Sequence, residues 1–458
     1  MSTIWPWSRA NSYHGGMSLH AATPANDQGQ HATDAAAGQG QEVTEQVYRL
    51  ADRARKASRL LARANRDWKD RALRQIGATL DANRVSILQA NAKDLEAGRA
   101  NGTSAAMLDR LKLDDARIDG LIGALEELAG LPDPVGTVLR GETLPNGLRM
   151  RQVNVPMGVV GTIYEARPNV TVDIAGLALK SGNAVLLRGG SAALNSNLAL
   201  VGLIRDALEK VSLPRDIVIS VDEYGRPGAD ALMGARGKID VLIPRGGREL
   251  IQRVVTTAKV PVIETGEGNV HIFIDESADT DTAVDILLNA KTQRPSVCNT
   301  VETLLIHQDA AAGRSVLEEL SKAGVRLHTD PRAAGLAEGL DPVQADEQDW
   351  ANEYLDLQIA VKVVDGIDEA MEHIAEYSTG HTEAIITSSL QNSERFVAEV
   401  DSAAVIVNAS TRFTDGGQLG LGAEVGISTQ KMHARGPMGL AELTTTKWIV
   451  QGDGHIRK

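Results

Sequence analysis

From Gly158 onward the sequence alternates short apolar runs with amphipathic stretches, and this alternation restricts the possible folds more than any other feature. Residues 159–163, 184–188, 216–221 and 239–243 read as strands, separated by helical segments beginning near Val170, Ala192, Pro227 and Gly247. A second series follows, with strands expected at 262–264, 270–274, 301–307, 358–364, 384–387 and 405–408 and helices around 282–290, 314–323, 368–375 and 393–399. Repeated βα units give parallel sheets, because each crossover lays a helix over a sheet that must be covered on both faces. The expected fold class is therefore α/β, with two parallel-sheet domains. No internal repeat or heptad array is visible.

The chain before Gly158 reads differently. Residues 1–42 hold three of the ten histidines, two of the five tryptophans and only four charged side chains, a composition that predicts a disordered tail. Trp5 and Trp7 could anchor a partner, or the segment could be a plain extension. Pro6 breaks the apolar start at once, which argues against a secretory signal and makes cytoplasmic residence the expectation. Near Thr44 helical spacing begins with Val47, Leu50, Ala51, Ala54 and Leu61. It continues to about Leu131, where Pro132 and Pro134 end the section. Residues 138–143 and 148–155 then flank Pro145-Asn146-Gly147, the strongest hairpin signal in the chain, since Asn-Gly tolerates the positive φ of a tight reversal. A ribbon so polar should protrude or pair with another chain.

Composition closes several classes. With 458 residues and 43% hydrophobic content the chain can bury a large core, in about two to four units. A formal net charge of −13 disfavours nucleic acid or anionic membrane as partner, so an anionic ligand must meet a local basic cluster. No uncharged apolar run is long enough to span a membrane. Forty-four glycines against three phenylalanines point to many tight turns and an aliphatic core.

Cys298 is the only cysteine, so it forms no internal disulfide. Alone it could be a buried spectator, a surface thiol or a nucleophile. Its setting, Lys291-Thr292-Gln293-Arg294-Pro295-Ser296-Val297-Cys298-Asn299-Thr300, is cationic and uncrowded, which should lower a thiol pKa and admit a substrate. Ligand loops in parallel sheets lie beyond the strands' carboxyl ends, and four such places stand out. Arg188-Gly189-Gly190-Ser191 ends a strand in a permanent charge followed by glycines. Pro244-Arg245-Gly246-Gly247 opens a helix whose N–H groups could hold pyrophosphate, although either glycine pair could equally be a simple turn. In Tyr164-Glu165-Ala166-Arg167-Pro168-Asn169, the Asn169 amide could serve a developing oxyanion or merely cap the next helix. Glu264-Thr265-Gly266-Glu267-Gly268-Asn269 brings two carboxylates to a strand end, or is a solvated turn.

Several of these stretches, with Pro156-Met157-Gly158-Val159-Val160-Gly161 and Ala178-Leu179-Lys180-Ser181-Gly182-Asn183-Ala184, resemble the γ-glutamyl phosphate reductase family of the aldehyde dehydrogenase superfamily. The likeness spans roughly residues 44–457. It includes a signature of Val364, Ala370-Met371, His373-Ile374, Tyr377-Ser378-Thr379, His381-Thr382-Glu383 and Ile385. It implies a cofactor domain (43–140, 158–283 and 404–424), a catalytic domain (284–403) and a protruding oligomerisation ribbon (141–157 and 425–458). It also implies NADP(H) as cofactor, no metal, and a dimer or tetramer. Carried over residue by residue, Cys298 matches the nucleophile and Asn169 the oxyanion amide. Arg188 falls at the adenosine ribose, with Gly189 and Ser191 beside it and Arg245, Gly246 and Gly247 at the second glycine turn. Glu353 matches the glutamate on the nicotinamide ribose.

The implied reaction is NADPH-dependent reduction of γ-glutamyl phosphate to glutamate 5-semialdehyde in proline biosynthesis, through a cysteine thioester. Substrate anions would need cations near the sulfur. Arg167, Arg294 and Arg412 are candidates, with Glu165 in the same loops, although each arginine could instead sit in a structural ion pair. Glu264 aligns with the base of water-using aldehyde dehydrogenases, but its flanking Gly266-Glu267-Gly268 departs from their pattern. A water-using dehydrogenase and a silent oligomeric scaffold are the rival readings.

Overall fold

The computed structural model describes residues 27–165 and 167–457. Helices α1 (Asp27–Leu61), α2 (Arg66–Ala82), α3 (Arg84–Ala100), α4 (Ala105–Leu111) and α5 (Asp115–Gly130) come first. Their starts follow from capping chemistry: the side chains of Asn65, Ser104 and Asp114 accept from the N–H groups of Trp68, Met107 and Arg117. Leu73, Ile76 and Leu80 of α2 pack with Ile118, Leu121, Leu125 and Leu128 of α5 in one buried cluster. The hairpin forms as expected from β1 (Val138–Thr143) and β2 (Arg149–Pro156), with Gly147 at φ +92° and Leu144 N–H donating to Leu148 O at 2.8 Å.

The first α/β series is β3 (Val159–Tyr164), α6 (Pro168–Lys180), β4 (Ala184–Arg188), α7 (Leu194–Lys210), β5 (Val218–Ser220), α8 (Gly225–Gly234), β6 (Val241–Arg245) and α9 (Arg248–Thr257). Its strands form a four-stranded sheet, ordered β5-β4-β3-β6 and parallel throughout. Val160, Val185 and Leu187 face the helical layer, whereas Val159, Leu186 and Leu242 face α1 and α8.

The second series is β7 (Val270–Ile274), α10 (Thr280–Thr292), β8 (Val301–His307), α11 (Ala312–Lys322), β9 (Arg326–Thr329), α12 (Pro331–Leu336), β10 (Val343–Gln344), α13 (Glu347–Trp350), β11 (Gln358–Val364), α14 (Ile367–Tyr377), β12 (Thr382–Ile386), α15 (Leu390–Glu399) and β13 (Ala404–Val407). It builds a parallel seven-stranded sheet, β10-β9-β11-β8-β7-β12-β13. β14 (Ile427–Ser428) pairs with β15 (Gly436–Pro437), and β16 (Thr444–Gln451) adds to β2 as the third strand of the ribbon.

The two parallel sheets follow the sequence reading; several boundaries do not. Strands β7 and β13, assigned by sequence to the cofactor segment, lie in the larger sheet, because Ile272 and Ile274 pack with Leu287 and Leu317 while Phe273 packs with Phe396. Residues 425–443 are not ribbon: Val425, Met438 and Leu443 are buried in the core of the helical layer. Residues 262–264 make only an isolated bridge, Leu242 to Val262. Of the tail expected to be disordered, residues 1–26, with Trp5 and Trp7, lie outside the described residues, while 27–42 are helical, in keeping with their alanine and glutamine content. Among the described residues no helix is long and apolar enough to cross a membrane.

Candidate active site

Register brings the sequence candidates to one edge. In the smaller sheet Ile163 lies opposite both Arg188 and Pro244, and Tyr164 opposite Arg245, so Glu165, Gly189 and Gly246 all leave it on the same side. The chain passes from β3 to β4 on one flank and returns to β6 on the other, which places a topological switch between β3 and β6. The larger sheet contributes its amino edge instead: Asn269 precedes β7, Cys298 precedes β8 and His381 precedes β12.

The Cys298 loop is held at its base. Thr300 donates from N–H to Val297 O at 3.1 Å and from Oγ1 to Arg294 O at 2.9 Å. Asn299 Nδ2 donates to Thr414 O at 2.9 Å, and Thr411 Oγ1 returns a bond to Asn299 O at 2.7 Å. Gly268 lies against the same loop, where a Cβ would stand 1.5 Å from the Cys298 carbonyl oxygen, so no other residue fits. Its N–H donates to Glu353 Oε1 at 3.0 Å, which ties the Glu353 loop to the nucleophile.

The thiol departs from the sequence expectation. Although residue 298 keeps some exposed surface, burial pushes its thiol up to about 11, helped by the Glu424 and Glu353 charges and opposed by Arg245 and Arg167. Desolvation outweighs the cations. Lys291, read as one of those cations, turns away from the sulfur and is buried against Glu302 at 2.7 Å.

Arginines from five separate segments gather by this thiol. Burial, with the nearby charges of Arg245, Arg110 and Arg294, lowers Arg167 to about 10, and the Arg294 charge also acts on Arg412. Arg245 meets Glu424 at 3.5 Å, and Arg412 Nε donates to the neutral Gln293 at 2.9 Å. Among the described residues, Arg110, Arg167, Arg294 and Arg412 have no carboxylate within ion-pair distance, so the structural ion pairs weighed for Arg167, Arg294 and Arg412 are absent. Arg110 was not legible in the sequence: it comes from α4 in the helical layer and donates to Ser296 O at 3.1 Å, two residues from the sulfur.

Other candidates are placed as follows. Asn169 lies inside the first turn of α6, whose N-cap is Arg167, so it is no cap; its Nδ2 donates to Asp173 Oδ2 at 3.1 Å. Burial lifts Asp173 to about 6 against the pull of Asn169 and Arg245. Glu165 is not in the arginine cluster: its Oε2 accepts from Gly247 N–H at 3.1 Å at the start of α9, where pyrophosphate was expected. Glu264 is tied twice to Gln430, through its own N–H at 3.0 Å and its carboxylate at 3.3 Å. That partner is 166 residues away and carried no signal.

Arg188 belongs to a second group. Its Nε donates to Gly225 O at 3.3 Å; burial lowers its pKa, Asp222 raises it and Arg226 and Arg253 lower it further. Gly189 N–H donates to Asp222 Oδ1 at 2.5 Å, and a Cβ on Gly189 would meet Asn197 at 2.0 Å; exposed Ser191 opens the following turn. Asp222 stands past the end of β5, so the rule that picked the other strand ends would have found it. A half-buried arginine among further arginines fits a phosphorylated ribose. The first N–H groups of α9 suit a pyrophosphate, which would take the place the Glu165 carboxylate holds at Gly247 N–H in this structure.

Because the chain has one cysteine, its alkylation by iodoacetamide reports Cys298 without background. The rate should climb about tenfold per pH unit from about pH 7 to about pH 10. A plateau below about pH 9 would contradict a thiol raised by burial.

Comparison with known proteins shows the family. The aldehyde dehydrogenase family model matches residues 23–335. "Gamma-glutamyl phosphate reductase" of Kineococcus radiotolerans is 58% identical over 91% of this chain and 98% of its own length. The protein of the same name from Thermobifida fusca is 56% identical over 91% of this chain and 100% of its own. The crystal structure of gamma-glutamyl phosphate reductase from Thermotoga maritima superposes with a TM-score of 0.87 at 49% identity, covering 90% of this chain and all (100%) of that one. The fold thus includes a nicotinamide-cofactor-binding domain. The chain belongs to the aldehyde dehydrogenase family and, within it, to the γ-glutamyl phosphate reductases.

Proposed function

We propose that this chain reduces L-γ-glutamyl 5-phosphate to L-glutamate 5-semialdehyde with NADPH, releasing phosphate in the second step of proline biosynthesis from glutamate. The observation that carries the reading is the gathering of Arg167, Arg294 and Arg412 by the single cysteine, none of them with a carboxylate in ion-pair reach among the described residues. A substrate bearing both a phosphate and an α-carboxylate supplies the missing anions. The smaller sheet and its helical layer hold NADP(H), and the larger sheet carries the nucleophile. Arg188, Gly189 and Ser191 would hold the adenosine ribose and its 2′-phosphate, Arg245, Gly246 and Gly247 the pyrophosphate, and Glu353 the nicotinamide ribose. In this reading the ribbon, which exposes Leu139, Trp448 and Val450, serves as the contact surface of a homo-oligomer that works in the cytoplasm.

Cys298 loses its proton and its Sγ attacks the acyl carbon; the bond to the phosphate oxygen breaks and a thioester forms. Charge on the carbonyl oxygen is held by the Asn169 amide and the Cys298 backbone N–H. The proton that Cys298 gives up leaves with the phosphate as hydrogen phosphate, while the arginines balance its charge. The cofactor, when bound, supplies the hydride that takes the thioester to the aldehyde level. Cys298 then leaves as thiolate and frees the semialdehyde. In reverse, phosphate rather than water cleaves the thioester. This is why Glu264, the base a water-using dehydrogenase would need, can be tied to Gln430.

Two assays test the reading. Arg188→Ala should cost about 1.5–3 kcal/mol, roughly ten- to a hundredfold, in NADPH affinity and less with NADH; equal losses would make Arg188 structural. In phosphate-free buffer, semialdehyde with NADP⁺ should give a burst near one equivalent of NADPH per site, and added phosphate should restore turnover that Glu264→Gln leaves nearly intact. Sustained turnover without phosphate, abolished by Glu264→Gln, would instead establish hydrolysis.

A further inference from the structure

Behind the Cys298 loop lies an ion pair that the reaction does not use. Lys291 and Glu302 have no exposed side-chain surface. They flank the nucleophile in sequence, Lys291 in the last turn of α10 and Glu302 in β8. Lys291 Nζ donates to Glu302 Oε2 at 2.7 Å and to Val301 O at 2.9 Å, so it closes the base of the loop. Glu302 Oε1 accepts from Leu355 N–H at 3.3 Å. Leu355 stands at φ +54°, a left-handed conformation that a non-glycine residue keeps only when its surroundings impose it. Two residues earlier, Glu353 accepts from Gly268 N–H, and Gly268 rests on the Cys298 carbonyl. Cys298, Lys291, Glu302, the 353–355 loop and Gly268 thus form a closed ring of contacts through the base of the Cys298 loop. Burial lifts the Glu302 carboxyl to about 7 against the pull of Lys291 and of the Leu355 N–H, the two donors aimed at it.

We propose that Lys291 and Glu302 are positioning residues that set the separation between Cys298 and the Glu353 loop, and so the geometry in which hydride reaches the thioester. This rests on the reading of Glu353 as a cofactor contact. An internal pair costs desolvation that apolar side chains of similar volume would avoid, so its value must lie in the geometry it fixes. Lys291 bonds both to the Glu302 side chain and to the Val301 backbone, and Glu302 bonds to the backbone of a strained turn. Apolar replacements could fill the space but could not hold Leu355 N–H.

The double variant Lys291→Met/Glu302→Met separates packing from positioning. It should melt within a few degrees of the parent. In the cofactor-free protein, Cys298 alkylation by iodoacetamide should change at least about fivefold. With cofactor and substrate, kcat should fall about a hundredfold, the scale of a misplacement of about 1 Å, while KM for the acyl substrate changes little. A stable double variant with parental alkylation and parental kcat would overturn the proposal. Should that variant not fold, Glu302→Gln decides: loss of at least about tenfold in kcat with an unchanged circular dichroism spectrum supports positioning, and unchanged kcat refutes it. The alkylation arm needs no cofactor, so it judges the ring even if the chain proves to act on another substrate, whereas absence of reductase activity in the parent would sink the reading of function alone.

Discussion

Parallel pairing is the constraint on which the site depends. Every strand of both large sheets runs the same way as its neighbours, so each sheet has one carboxyl edge and one amino edge. The carboxyl edge of the smaller sheet presents Arg188 and Arg245, and the amino edge of the larger presents Cys298. Residues 258–269 carry the chain from one sheet to the other. Thr265 Oγ1 donates to Pro244 O at 3.0 Å at the first sheet, and Gly268 lies on the Cys298 loop at the second. The strand ends that carry Arg188 and Arg245 and the loop that carries Cys298, on separate sheets, are thereby joined by a short, partly buried segment.

Within that frame two electrostatic effects oppose one another. Burial raises the thiol and lowers Arg167 and Arg188, because water is excluded from the cleft. The same exclusion strengthens every charge that remains, so arginines without carboxylate partners hold an anion more firmly than they would on an open surface. The chain carries a net charge of −13, yet its cleft concentrates cations. On the proposed reading, this local inversion of sign is what would select an anionic acyl group.

Much of this was legible in the sequence for identifiable reasons. The strand ends at Arg188 and Arg245 were found because βα periodicity is local and ligand loops follow carboxyl ends. Cys298 was found because it has no sibling, and the hairpin because Asn146-Gly147 encodes its own turn. What stayed hidden depends on residues distant in sequence. Arg110 acts on a loop 186 residues later, and Gln430 holds Glu264 across a similar gap. Glu165 caps α9 only once β3 and β6 lie side by side. The thiol pKa was misread because flanking residues reveal charge but not burial, and Lys291 was misassigned because its partner Glu302 faces it only in the folded chain. The sheet boundaries failed at β7 and β13 for a related reason: an apolar strand fits either sheet until its helices are known.

The most direct test of covalent catalysis at Cys298 with phosphate as acyl acceptor is intact-protein mass spectrometry after mixing with glutamate 5-semialdehyde and NADP⁺ in phosphate-free buffer. The expected result is a single glutamyl adduct mapped to Cys298, absent in Cys298→Ser, stable until phosphate is added and then discharged. No adduct, or an adduct lost to water at the same rate with and without phosphate, would contradict it.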